Sequence, residues 1–199
     1  MLMTQPMHTP KPKSPSSSSP ALSLDGWFAG TQHIYPLRVQ YEDTDAGGVV
    51  YHAGYLAYAE RGRSAAFTLL GIDQMALLAE GLAFVVANLT IRYQQAARLG
   101  DILQVATTAT AISRASIKLS QIITGLPNNN TLPSDSPIAT LEVTIVQTRV
   151  AGIAEGAKEM DSKMAGKSEG KTGGIVRLSD EVMRLVRTSF FSPKKIIKK

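Results

Sequence analysis

The stretch YEDTDAGGVVYHAGY, Tyr41 to Tyr55, decides how the chain is read. Three acids (Glu42, Asp43 and Asp45) fall within four residues; Gly47, Gly48 and two valines follow, then Tyr51 and His52. Upstream, HIYPLRVQY alternates as a strand does, and Pro36 within it predicts an edge strand or a strand start. Downstream, AGYLAYAERGRSAAFTLLGI reads as a helix. Tyr55, Leu56, Ala59, Ala66, Phe67 and Leu70 recur at helical spacing, small or apolar residues cover much of the remaining circumference, and Gly71 predicts the stop. The quoted stretch is therefore the link between a strand and a largely buried helix.

Such a link can carry chemistry. Asp45 follows the strand, and the small residues after it allow a turn and a close approach. The helix is expected to begin near Tyr51 to Ala53, where the first N–H groups lack intrahelical acceptors and hold the positive end of the macrodipole. A carbonyl oxygen placed there would be polarised, and the Asp45 carboxylate could activate water or attack directly. Acids before a helix also serve as caps, and spacing alone leaves both readings open. The ring of His52 suits packing or capping as well as catalysis. Tyr51, Tyr55 and Tyr58 are expected to pack; Glu42 and Asp43 to be exposed or paired with Arg38, Arg61 or Arg63.

Four runs rich in Val, Ile, Thr and Leu come next: LAFVVANLTIRYQ, DILQVATTATAI, ASIKLSQIIT and IATLEVTIVQTRVA. A short helix around Asp73 to Glu80 precedes them, and no helix-length segment separates them, so they should pair antiparallel. LSDEVMRLVRTSF closes the fold as a helix capped by Ser179. The expected class is α+β, with one helix laid across a curved antiparallel sheet. The expected organisation is a disordered extension at 1–30, a domain at 31–153, a flexible Gly/Lys-rich insert at 154–175, a C-terminal helix at 176–191 and a basic tail at 192–199.

The chain of 199 residues contains no cysteine, which removes disulfides, thiol nucleophiles and thiolate metal sites. Its three histidines, His8, His33 and His52, make a multi-histidine metal centre a poor expectation. The net charge of +5 owes four lysines to the terminal KKIIKK. Nucleic-acid binding by the domain is therefore not expected, and the tail offers at most peripheral contact with an anionic membrane. No run approaches the ~18 apolar residues of a membrane span, and the N-terminus lacks the apolar core of a secretory signal. GKSEG at 166–170 matches G-x-S-x-G in letters only, since neither a strand nor a later histidine accompanies it. GKT at 170–172 lacks the glycine and strand of a P-loop.

YEDTDAGGVVYHAGYLAYAERGR, together with LLGI, FVVANLTIRY, ARLGD and ISRAS, resembles the hotdog-fold acyl-CoA thioesterases of the 4-hydroxybenzoyl-CoA thioesterase class, most closely the Tol-Pal-associated branch. The resemblance spans about residues 34–150. It implies a hotdog fold, hydrolysis of acyl-CoA to free acid and CoA without a separate cofactor, a cytoplasmic location, and homodimers commonly paired into homotetramers with the site at the subunit interface. It places the catalytic carboxylate on Asp45 and the oxyanion-polarising N–H on His52, with Val50 and Tyr51 beside the substrate. Arg114, Ser116 and Lys118, at the turn after IS, match a region that often contacts CoA. Ala96 stands where the family usually has Pro, and Gly62 where Ala is usual in the helix. Two rival functions are a non-catalytic or weakly catalytic module that binds acyl carrier protein or an envelope complex, and a hydratase built on an Asp–His side-chain pair.

Overall fold

The computed structural model describes residues 24–126, 136–150 and 174–191. Strands β1 (Trp27–Ala29) and β2 (Gln32–Arg38) lead through a single helical turn at Tyr41–Asp43 into α1 (Gly54–Leu70) and α2 (Gln74–Ala79). Strands β3 (Leu82–Tyr93), β4 (Ile102–Ile112), β5 (Ser116–Gly125) and β6 (Pro137–Arg149) follow, then β7 (Ile175–Val176) and α3 (Asp180–Val186). The predicted basic tail, and all but the ends of the predicted extension and insert, lie outside the described residues. β1 occupies positions assigned to that extension, and β7 begins on the last position assigned to the insert.

The strands form one antiparallel sheet in the order β1-β2-β4-β5-β6-β3, with β7 paired to β6 where β5 has ended. This is the hotdog arrangement, a curved sheet with α1 packed against it. Leu103, Val105, Thr107 and Ala109 of β4, Ile117, Leu119, Gln121 and Ile123 of β5, and Leu141, Val143 and Ile145 of β6 are all buried. They alternate with more exposed neighbours, as a pleat with one covered face requires. Tyr55, Tyr58, Ala59, Gly62, Ala66 and Leu70, among the nine buried residues of α1, supply the opposing stripe. Each large apolar side chain buried here contributes about 1.5–3 kcal/mol.

Glycine matters at two places on α1. A Cβ on Gly62 would come 3.0 Å from Val105 Cγ1, so the departure from Ala at this position lets helix and sheet approach closely. Gly71, at φ 79°, ends the helix as predicted. Its N–H donates to the Thr68 carbonyl and that of Ile72 to the Phe67 carbonyl, a Schellman closure of the C-terminus.

A polar clamp sits in the same interface. Gln121 accepts from Arg63 Nη1 at 2.7 Å and donates to the Ala59 carbonyl and to Thr107 Oγ1, each at 2.9 Å. Arg63 also pairs with Glu60, not with Glu42 or Asp43. Pro36 is tolerated because β1 covers β2 only from Gln32 to Ile34, which leaves the Pro36 edge without a partner strand among the described residues. His33 is fully buried and donates from Nε2 to the Asp25 carbonyl; burial holds its imidazole below the ordinary range.

Candidate active site

The turn after β2 is closed by its own backbone. Thr44 and Val50 form an antiparallel bridge, the Asp45 N–H donates to the Val49 carbonyl at 3.0 Å, and Gly48 N–H donates to the Asp45 carbonyl at 2.9 Å. Gly48 takes φ 70°, a conformation natural to glycine. Asp45 Oδ1 accepts from Gly47 N–H at 2.8 Å, and a Cβ on Gly47 would sit 3.0 Å from that oxygen. The carboxylate is thus held by its own turn in an exposed position, and Oδ2 has no partner among the described residues. The Asp43 carboxylate is spent elsewhere, accepting from Gln40 N–H at 2.7 Å. Glu42 is exposed.

Helix α1 starts at Gly54, so His52 lies in the turn before it rather than in the first helical turn. Its N-cap is Ala53, which has no capping oxygen, and no acid occupies the first turn. The N–H groups of His52 and Ala53 have no acceptor among the described residues. The peptides that carry them are nevertheless held through their carbonyls. Gly54 N–H donates to the Tyr51 carbonyl at 2.7 Å, and the Tyr93 hydroxyl donates to the His52 carbonyl at 3.0 Å.

These groups adjoin a pocket of about 340 Å³ bounded by Val50, His52 and Tyr55 on one side and Tyr93, Gln94, Gln95 and Ala96 on the other. The two sides are stitched together: Val50 N–H donates to the Ala97 carbonyl at 2.8 Å, and Ala97 N–H donates to the Tyr55 hydroxyl at 3.0 Å. Burial pushes the Tyr55 phenol up, so it stays neutral. Burial does the same to Tyr58, with the nearby Asp43 carboxylate a further cause, and the Tyr58 hydroxyl completes no hydrogen bond of normal geometry among the described residues.

Of the residues expected at the site, Val50 and His52 line the pocket. Asp45 lies outside its lining, on the turn bridged to it. Tyr55 and Tyr58 pack as expected, but Tyr51 is half exposed, its ring 4.2 Å from that of His52. Arg114, Ser116 and Lys118 are not brought to the pocket of their own chain. They follow the far end of β4, whose 11 residues put about 30 Å between that turn and the Arg98–Asp101 region beside Val49. There Ser116 Oγ shares a hydrogen bond with Ser113 Oγ, and the Arg114 carbonyl accepts from Leu178 N–H. Tyr93 and the loop at 94–96 escape sequence reasoning, because a strand-end tyrosine 41 residues from His52 carries no local signal of that contact. No group of three or more His, Asp or Glu side chains with metal-binding geometry occurs among the described residues.

Residues 47–128 match the sequence profile of the thioesterase superfamily, beginning two residues after Asp45. The acyl-CoA thioester hydrolase YbgC of Escherichia coli is 46% identical over 94 residues, covering 47% of this chain and 70% of the relative. The acyl-CoA thioesterase YbgC of Haemophilus influenzae is 50% identical over 99 residues, covering 49% and 69%. Among solved structures, the dynemicin thioesterase superposes with a TM-score of 0.63 at 19% identity, covering 79% of this chain and 96% of that one, a likeness of fold. A probable thioesterase from Bartonella henselae gives 0.51 at 30% identity, covering 59% and 90%.

Proposed function

The chain is a thioesterase, a member of the thioesterase superfamily, and we propose that it hydrolyses acyl-CoA thioesters to free acid and CoA with Asp45 and the turn at His52 as its machinery. The observation that carries this reading is the pair of N–H groups on His52 and Ala53, without an acceptor among the described residues, beside a pocket that His52 lines and ahead of an uncapped helix. A thioester oxygen set against them gains charge during attack and meets donors that need no rearrangement. Asp45 takes the proton of a water whose oxygen bonds to the carbonyl carbon; the C–S bond then breaks and the CoA thiolate leaves, to be protonated. Alternatively, an Asp45 oxygen bonds to the carbonyl carbon, the C–S bond breaks and the CoA thiolate leaves, and water then opens the resulting anhydride to free acid and Asp45 carboxylate. The His52 ring orients Asp45 or the water. No metal or redox group enters either route.

The reading extends to assembly. Among the described residues β3 is paired on one side only, by β6, and it exposes Val85 and Val86 along a 12-residue edge. An edge this long and apolar is normally covered. We propose a homodimer formed along it, further paired into a tetramer, in which Arg114, Ser116 and Lys118 serve the CoA of the partner's site as charge-assisted donors. The Tol-Pal-associated branch and a cytoplasmic location belong to the same proposal and rest on the motif resemblance. No helix among the described residues is long and apolar enough to cross a membrane.

The test is a panel of acyl-CoAs and acyl-acyl carrier proteins offered to the purified protein and to Asp45→Asn and Asp45→Ala. Loss of about a thousandfold in kcat is expected. Full activity in both variants overturns the role of Asp45. Single turnover in ¹⁸O-water separates the two routes, since label in Asp45 marks the anhydride.

A further inference from the structure

We infer that Tyr93 is a positioning residue of the oxyanion site: its hydroxyl holds the His52 carbonyl and so fixes and polarises the peptide whose N–H belongs to Ala53. The inference rests on reading the His52 and Ala53 N–H groups as that site. In a regular helix the His52 carbonyl would receive the Leu56 N–H. Here Leu56 N–H donates instead to the Ala53 carbonyl at 3.1 Å, which also receives its regular donor, Ala57 N–H, so no helical N–H reaches the His52 carbonyl. The peptide between Tyr51 and His52 is restrained within its own turn by Gly54. The peptide between His52 and Ala53 has no such local restraint, and the Tyr93 hydroxyl supplies it at 3.0 Å.

Tyr93 can do this because it is itself fixed. It pairs with Ala139 at the end of the β3–β6 ladder, and the N–H groups of Gln94 and Gln95 both close on the Ile138 carbonyl. Its ring meets that of Tyr55 edge-on at 5.7 Å, while its position at the end of an edge strand leaves it 44% exposed. A hydrogen bond accepted at a carbonyl draws charge through the amide and makes the N–H of the same peptide a better donor. The bond therefore acts on both the direction and the strength of the Ala53 donor.

Tyr93→Phe keeps the ring contact and removes only the hydroxyl. Because an entire donor is worth ~10²–10³ in rate, weakening one should lower kcat about tenfold, with KM within about twofold and the melting temperature little changed. The Ala53 amide resonance should move while the His52 amide stays in place. Substitution by 3-fluorotyrosine, which keeps the ring and a donor, should restore kcat and the resonance. If wild-type protein is active and Tyr93→Phe retains its kcat, the inference fails while the thioesterase site stands. A rise in KM alone overturns it too, as does a fall in kcat that 3-fluorotyrosine does not restore. If wild-type protein cleaves no thioester, the reading of the site fails and the inference with it.

Discussion

Helices α1 and α2 begin in opposite ways. α2 starts on Asp73, whose Oδ1 accepts from the N–H groups of Met75 and Ala76 at 2.9 and 3.0 Å, whereas α1 starts on Ala53, which offers them nothing. The physical reason lies in what each helix has to hold it. α2 has six residues and none is buried, so a carboxylate at its first turn is a substantial part of its stability. α1 has 17 residues, nine of them buried, with a glycine closure at its far end and a glutamine clamp on its flank. Tertiary packing lets the start of α1 leave donors without a partner among the described residues, next to a pocket that His52 lines. α3 follows the pattern of α2, with Ser179 capping Val182 N–H and two acids in its first turn.

The contrast can be broken from either side. The largest expected effect comes from removing what holds α1. Gln121→Leu strips the Gln121 bonds from buried Arg63 Nη1, the Thr107 hydroxyl and the Ala59 carbonyl, while Arg63 keeps Glu60, and should cost about 3 kcal/mol of unfolding free energy, read from denaturant melts. Next in size is the conversion of α1 into an α2-like start. Ala53→Asp should stabilise the helix by up to about 1 kcal/mol, yet lower kcat about a hundredfold, because the new carboxylate occupies and repels where the oxyanion forms. A variant that is more stable and fully active would remove the reason for α1 to be uncapped. The smallest effect is the converse change: Asp73→Ala should cost about 1 kcal/mol in stability and leave thioester hydrolysis unchanged.

Local features were largely legible. The body of α1, its stop at Gly71, the cap Ser179 and the four long strands all follow from periodicity, turn residues and β-branched content near each position. Chain order revealed the antiparallel neighbours β4, β5 and β6 but not the place of β3. β3 precedes β4 in sequence but pairs with β6, because the sheet closes around α1 and its last place is filled from a distance. β1 and β7, with three and two residues, are too short to show a period and exist by pairing alone. Gly62 reads as a weak point in a helix until Val105 is placed 3.0 Å from where its Cβ would be.

The same division runs through the site. By itself the sequence determined that an acid, a glycine pair and His52, just ahead of a helix, fall within eight residues of one another, since Asp45, Gly47, Gly48 and His52 are joined by a short chain that can hardly separate them. Only the tertiary structure decided what that proximity amounts to. It left the start of α1 without a cap and set the far strand's Tyr93 on the His52 carbonyl. It also put Arg114, Ser116 and Lys118 at the far end of β4, where a residue's partners depend on which strand lies beside it and not on its neighbours in the chain.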